Sequence, residues 1–209
     1  MFTIVIVDYG MGNLRSVQKA FETCGCNAEL SRNARTVEDA DALVVPGVGS
    51  FGDCVENLDR FGLKGAIGSF LKSGRSYLGI CLGLQILFES SEESESSRGL
   101  GVFPGCVRRF RGNIKIPHMG WNTIRITGRD GTRCPLFRGI GDGAYFYFVH
   151  SYYPAPDEAE VIAAVTDYGG EFASAVWRDN IIATQFHPEK SQRLGLKLIK
   201  NFIDVVRGK

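Results

Sequence analysis

A chain of 209 residues, 44% hydrophobic and 22% charged, has the length and balance of one soluble globular domain with a core of its own. Its 24 Lys and Arg against 23 Asp and Glu leave a net charge of +1, which supplies no overall electrostatic footprint for nucleic acid or an anionic membrane. No apolar run approaches the roughly 18 residues of a membrane span, and the opening MFTIVIVDYG reads as a buried strand rather than an export signal, so the expected location is the cytoplasm.

Phe2–Val7 is a continuous apolar run ending at Asp8-Tyr9-Gly10, the pattern of a strand covered on both faces. Asn13 can cap a helix whose apolar positions Leu14, Val17, Ala20 and Phe21 recur at three-and-four spacing. Ala42–Val45 is a second short strand, closed by Pro46-Gly47. Leu58–Leu71 suits a helix, weakened or broken in two by Gly62, Gly65 and Gly68. Ser76–Cys81 is another strand and runs into a helical pattern over Leu82–Phe88. Such alternation predicts a mostly parallel sheet of βαβ units. Ser90–Ser97 (SSEESESS) reads as a solvated loop or helix end.

Beyond it the character changes. Val102–Phe110, Trp121–Ile126, Ala144–Val149, Val161–Thr166, Phe172–Trp177 and Ile181–Gln185 all suggest strands, with turns at Asp167–Gly170 and Arg178–Asn180. A closing helix over Arg193–Val206 carries Leu194, Leu198, Phe202 and Val205 on one face. The expected fold is α/β, a doubly wound, mostly parallel sheet with an antiparallel extension, in a single domain spanning residues 1–209.

The six cysteines show no CxxC pair and no zinc-like grouping with histidine, so reduced and mostly buried thiols are expected. Cys81 stands apart. It occupies the centre of Gly79-Ile80-Cys81-Leu82-Gly83, where a predicted strand turns into a predicted helix. This is the G-x-nucleophile-x-G form of a nucleophile elbow with cysteine in place of serine. The small flanking residues permit a tight turn, the helix start favours thiolate over thiol, and the N–H of Leu82 would face an oxyanion.

A cysteine nucleophile needs a base, and only His118, His150 and His187 exist. His187 follows a predicted strand in Gln185-Phe186-His187-Pro188-Glu189, where the proline turn lets Glu189 fold back and orient the imidazole. Pro46-Gly47-Val48-Gly49 ends a predicted parallel strand and could supply a second oxyanion donor to the same crevice. Gly10-Met11-Gly12-Asn13 is not a dinucleotide fingerprint, because Arg15 stands where the third glycine should fall.

Taken together, PGVGSFGD, GICLGLQ and FHPEKS, in that order, resemble the class I (triad) glutamine amidotransferase family over essentially the whole chain. IPHMGWN, YFVHSYY and the GMGN loop are similar to the glutaminase subunits of imidazole glycerol phosphate synthases within it. The resemblance implies hydrolysis of glutamine through a Cys81 thioester, with His187 as acid and base held by Glu189. It implies Val48 and Leu82 main-chain N–H groups at the oxyanion, and Gln85, Glu93 and Gly49 around the substrate. The HSY segment containing His150 is expected to serve through backbone and packing. His118 is expected at the partner surface or as an exposed loop residue.

The resemblance also implies a heterodimer with a (β/α)₈-barrel cyclase of histidine biosynthesis, which would receive the ammonia. Met119, Trp121 and Asn122, in a Pro/Gly-flanked loop, would face that partner with Tyr147, Lys190 and Asn13. The alternative partner is a sugar-modifying or other ammonia-using synthase. A non-glutaminase elbow-cysteine protein is disfavoured by Gln85 and Glu189. Nothing calls for a metal or organic cofactor, and Cys24-x-Cys26 matches no role in the family.

Overall fold

Ile4–Val7 has no polar side, and in the computed structural model, which describes residues 2–129 and 132–208, all four residues are buried in the first strand. In chain order the first half comprises β1 (Ile4–Val7), α1 (Leu14–Thr23), β2 (Ala28–Ser31), α2 (Ala34–Asp39), β3 (Ala42–Gly47), α3 (Phe51–Arg60), α4 (Leu63–Lys72) and β4 (Ser76–Cys81). Next come α5 (Leu82–Gln85), β5 (Phe88–Ser91), β6 (Phe103–Arg109), β7 (His118–Ile126) and a small hairpin of β8 (Gly128–Arg129) and β9 (Thr132–Arg133). The chain closes with β10 (Ala144–His150), β11 (Tyr152–Pro156), β12 (Ile162–Asp167), β13 (Glu171–Arg178), β14 (Ile181–Thr184) and α6 (Gln192–Val206).

The described residues form a nine-stranded sheet in the order β10-β7-β12-β13-β14-β4-β3-β1-β2. From β14 to β2 every pairing is parallel, and from β10 to β14 every pairing is antiparallel. A three-stranded sheet, β11-β6-β5, lies apart from it. Strands β1, β3 and β14 are buried along their whole length because both faces are covered. One apolar layer joins α1 to α6, where Phe21 and Phe202 meet edge to face at 6.3 Å. The other packs Tyr9, Phe51, Phe70, Tyr77, Phe88 and Phe103 under α3 and α4. No helix among the described residues is long and apolar enough to cross a membrane.

The parallel half with an antiparallel extension is the architecture expected. Several elements differ. The helix after Cys81 is one turn, not seven residues, because Ile86, Leu87 and Phe88 are all fully buried and no helix could bury every side. The chain opens out instead: Leu87 O accepts from Val102 N and Phe103 N, and β5 begins at Phe88. Part of the serine–acid segment is therefore strand, with Ser91 buried. Met119–Asn122 lies within β7 and not in a loop. The expected break at Gly62 is real and separates α3 from α4, with Gly62 at φ 67°. Strands β2 and β11 and helix α2 carry no strong sequence signal: β2 is an edge strand of mixed burial, β11 contains Pro154 and Pro156, and α2 has six residues.

Candidate active site

β4 delivers Cys81 in a conformation that side chains avoid, with φ at 56°. The elbow closes because its flanking residues lack a Cβ. A methyl on Gly83 would collide with the Val45 carbonyl of β3, and one on Gly79 with the Gly83 carbonyl. Since α5 is a single turn, Cys81 faces the free N–H groups of that turn rather than the end of a long helix dipole.

The neighbours of β4 supply the rest. Gly47 of β3 is in register with Cys81, so Val48 and Gly49 leave the sheet beside the sulfur. On the other side β14 is in register through Thr184 and Ile80, and His187 follows three residues later. His187 is fixed by its own N–H, which donates to Tyr147 O at 2.9 Å, and by its carbonyl, which accepts from Ser191 Oγ at 2.7 Å. A turn over Pro188–Lys190 returns Glu189, whose Oε1 lies 2.8 Å from His187 Nδ1. Both side chains are almost fully buried.

Burial alone would disfavour the imidazolium. The Cys81 sulfur and the Glu189 carboxylate outweigh it and raise His187 to about 10. His187 Nε2 is buried and has no other hydrogen-bond partner among the described residues, which leaves it to the Cys81 sulfur. Burial works the other way on Cys24, Cys26, Cys54 and Cys134, whose thiols are all pushed up, the last two to about 12.

A cavity of about 380 Å³ opens onto the sulfur, lined by Val48, Gly49, Cys81, Leu82, Gln85 and Glu93 together with Val149–Tyr152, Pro117 and Lys190. All five residues expected at the oxyanion or substrate are among them. Glu93 is not a solvated charge: its Oε2 accepts from Phe51 N at 2.7 Å. Gln85 is buried, with Nε2 donating to Tyr152 O at 3.0 Å. Among the described residues no group of three or more His, Cys, Asp and Glu is placed to hold a metal ion.

On the outer face of β7 and β10 stand Met119, Trp121 and Tyr145, with 60%, 45% and 57% exposure. Trp121 meets Tyr147 edge to face at 6.1 Å, and Lys190 Nζ lies 5.7 Å above the Tyr147 ring. Asn13 is exposed and its Oδ1 caps α1 by accepting from Ser16 N at 3.3 Å. Asn122 turns to the opposite side of β7, where its Nδ2 approaches His118 Nε2 at 3.2 Å. His118 is neither exposed nor in a loop: it is buried, stacked between Phe148 and Tyr168. The sequence reading did not single out Tyr145 or a side-chain role for Gln185. Alternation along a strand would have placed Tyr145 beside Tyr147.

The family model for glutamine amidotransferase class-I matches residues 5–205. The chain is 52% identical over 209 residues to the imidazole glycerol phosphate synthase subunit HisH of Syntrophotalea carbinolica, covering 97% of this chain and all of that one. It is 48% identical to the HisH subunit of Methanocaldococcus jannaschii, covering 97% and 100%. Its fold matches a structure of PurLQS from Thermotoga maritima with a TM-score of 0.75 at 18% identity, covering 99% of this chain and 98% of that one. The chain therefore belongs to the class-I glutamine amidotransferase family, within the group formed by the HisH subunits of imidazole glycerol phosphate synthase.

Proposed function

We propose that this chain is the glutaminase subunit of an imidazole glycerol phosphate synthase, acting in the cytoplasm as one domain over residues 1–209. The observation that carries the chemistry is the buried His187–Glu189 pair facing Cys81 across a strained elbow. The likeness to HisH subunits carries the pathway.

In this reading the Cys81 thiol proton passes to His187 Nε2 and the sulfur attacks the glutamine carboxamide carbon. The oxyanion meets the N–H groups of Leu82 and Val48. His187 returns its proton to the departing ammonia, leaving a γ-glutamyl thioester, and then takes a proton from the water that hydrolyses it. Glu189 holds the ring and stabilises its charged form. Glu93 has one oxygen engaged by Phe51 N, so the other is left for the substrate ammonium. Gln85 presents its amide oxygen, and Gly49 leaves room beside them.

Ammonia freed beside Cys81 would become ammonium in bulk water, so a sheltered exit serves the reaction. The (β/α)₈ cyclase is placed against Met119, Trp121, Tyr147, Lys190 and Asn13, because aromatic side chains are the usual anchors of such faces. The turn Pro188–Lys190 packs on α1, which joins Asn13 to the same side of the molecule. The test is glutamine hydrolysis with and without a cyclase carrying its ribonucleotide ligand. Weak activity alone, strong activity in the complex, and none in Cys81→Ser support the reading. Hydrolysis that survives Cys81→Ser rejects it.

A further inference from the structure

Gln185 is fully buried directly after β14, and a buried amide needs partners for both of its ends. Its orientation follows from its neighbours. The Tyr152 carbonyl only accepts, so the Gln85 atom 3.0 Å from it is the donor Nε2. That Nε2 also lies 3.2 Å from Gln185 Oε1. Gln185 Nε2 is thereby left donating to Cys81 Sγ at 3.5 Å.

A second chain reaches the same carbonyl from β7. Asn122 is oriented twice over, with Oδ1 accepting from Thr123 N at 2.8 Å and Nδ2 donating to Asp167 O at 2.9 Å. Its Nδ2 also approaches His118 Nε2, which must therefore accept. The His118 proton then sits on Nδ1 and is donated to His150 Nε2 at 3.0 Å, and His150 Nδ1 donates to Tyr152 O at 2.8 Å. Every bond from Asn122 to the carbonyl points the same way. Burial keeps both rings neutral, lowering His118 to about 4 and His150 to about 3, as one proton per ring requires.

We propose that Gln185 is a further catalytic residue, whose side-chain N–H holds the Cys81 thiolate and whose orientation is set by Gln85, itself anchored on the Tyr152 carbonyl to which His150 also donates. The inference rests on the reading of Cys81 as the glutaminase nucleophile. When the thiol proton moves to His187, the S–H electron pair stays on sulfur and Gln185 keeps its own proton, so the amide stabilises the ion without changing state. In the thioester the sulfur is uncharged and the same contact weakens. It strengthens again as the thiolate leaves, which makes Gln185 useful in both halves of the reaction.

Gln185→Met keeps length and volume and removes the donor. The measurement is the pH dependence of Cys81 alkylation by iodoacetamide, followed by peptide mass spectrometry, which needs no glutamine. The titratable groups that face Cys81 are His187 with Glu189 behind it, Glu93, His150 and Lys190 in the shared cavity, and Cys54 and Tyr9 behind the elbow, and all of them are left in place. The Cys81 midpoint in Gln185→Met is expected to rise by about one to two pH units, with kcat in the cyclase complex falling roughly 10- to 100-fold, the range for a hydrogen bond to a charged group. Gln85→Met, which frees Gln185 to turn, should shift the midpoint in the same direction by less. An unmoved midpoint in folded Gln185→Met overturns the proposal, and if that variant does not fold, an unmoved midpoint in Gln85→Met does so. A wild-type complex that hydrolyses no glutamine would reject the glutaminase reading alone, since the alkylation profile stands apart from it.

Discussion

Cys54 and Cys81 are both buried thiols, and their surroundings part them. Cys54 is pushed up to about 12 by burial, whereas Cys81 shares its space with a raised imidazole and a donated amide N–H. A glutamine-analogue electrophile is therefore expected to label Cys81 and spare Cys24, Cys26, Cys54 and Cys134; even labelling, read by peptide mass spectrometry, would contradict this. His187→Asn should lower turnover by roughly 10²–10⁴-fold, the scale of a lost general acid and base. Glu189→Gln should cost only about 10- to 100-fold, because the base survives and only its orientation and charge support weaken. A His187→Asn variant with wild-type turnover would move the role elsewhere. His118 and His150 make a different prediction. Their folded values, about 4 and about 3, lie below the ordinary 6.5, so between those limits the unfolded chain binds more protons than the folded one. Their contribution to stability is intact above pH 6.5 and lost as pH falls, by up to about 1.4 kcal/mol per pH unit for each ring. Urea unfolding between pH 4 and 7 should show this slope, shallower in His118→Phe.

At the scale of elements, the elbow depends on the α5 turn lying closer to β3 and β4 than a side chain allows. Gly83→Ala forces the turn against the Val45 carbonyl, so it should lower stability by at least about 1–3 kcal/mol and slow Cys81 labelling, both of which a melting curve and the alkylation assay would read. Asn13→Ala removes the α1 cap and should cost about 1 kcal/mol, without touching the triad geometry. These features were legible early, because glycine spacing and capping are local. β4 and the closing helix were likewise readable to within a residue, since one is a continuous apolar run and the other an amphipathic repeat. The short α5 was not. Leu84, Ile86 and Leu87 fit a helix as well as they fit a chain that opens into another sheet, and only the three-dimensional cover on all sides decides. The sequence predicts a strand from Trp121 to Ile126 but a loop over Met119–Asn122 for a related reason: Pro117 and Gly120 look like turn residues, yet β7 begins at His118 and accommodates Gly120 at φ 136° within the ladder to β10. Within the site, Cys81, His187 and Glu189 sit in short contiguous motifs. The Gln85–Gln185 contact spans a hundred residues and leaves no local trace.

For the molecule as a whole, the exposed aromatic face of β7 and β10 is what a partner would cover. Trp121→Ala is expected to weaken assembly with the cyclase or to uncouple glutamine hydrolysis from product amination, while Cys81 labelling in the isolated chain stays normal. Unchanged assembly and coupling, with full activity in the isolated chain, would indicate a free-standing glutaminase. Alkylation, sedimentation and coupled turnover together separate these outcomes. The position of β4 beside β14 carries a consequence for time rather than for space. The nucleophile and the base hang from neighbouring strands in the interior of a nine-stranded sheet, so their spacing can change only if the ladder between them opens. Val48 and Gly49, by contrast, leave the end of β3 with Val48 exposed. Deuterium exchange should thus be among the slowest at β4 and β14 and fast at Val48. Occupancy of the site should slow Val48 while leaving the two strands as they were. The reacting pair would then be a fixed clock face, and the loop that receives the oxyanion its moving hand.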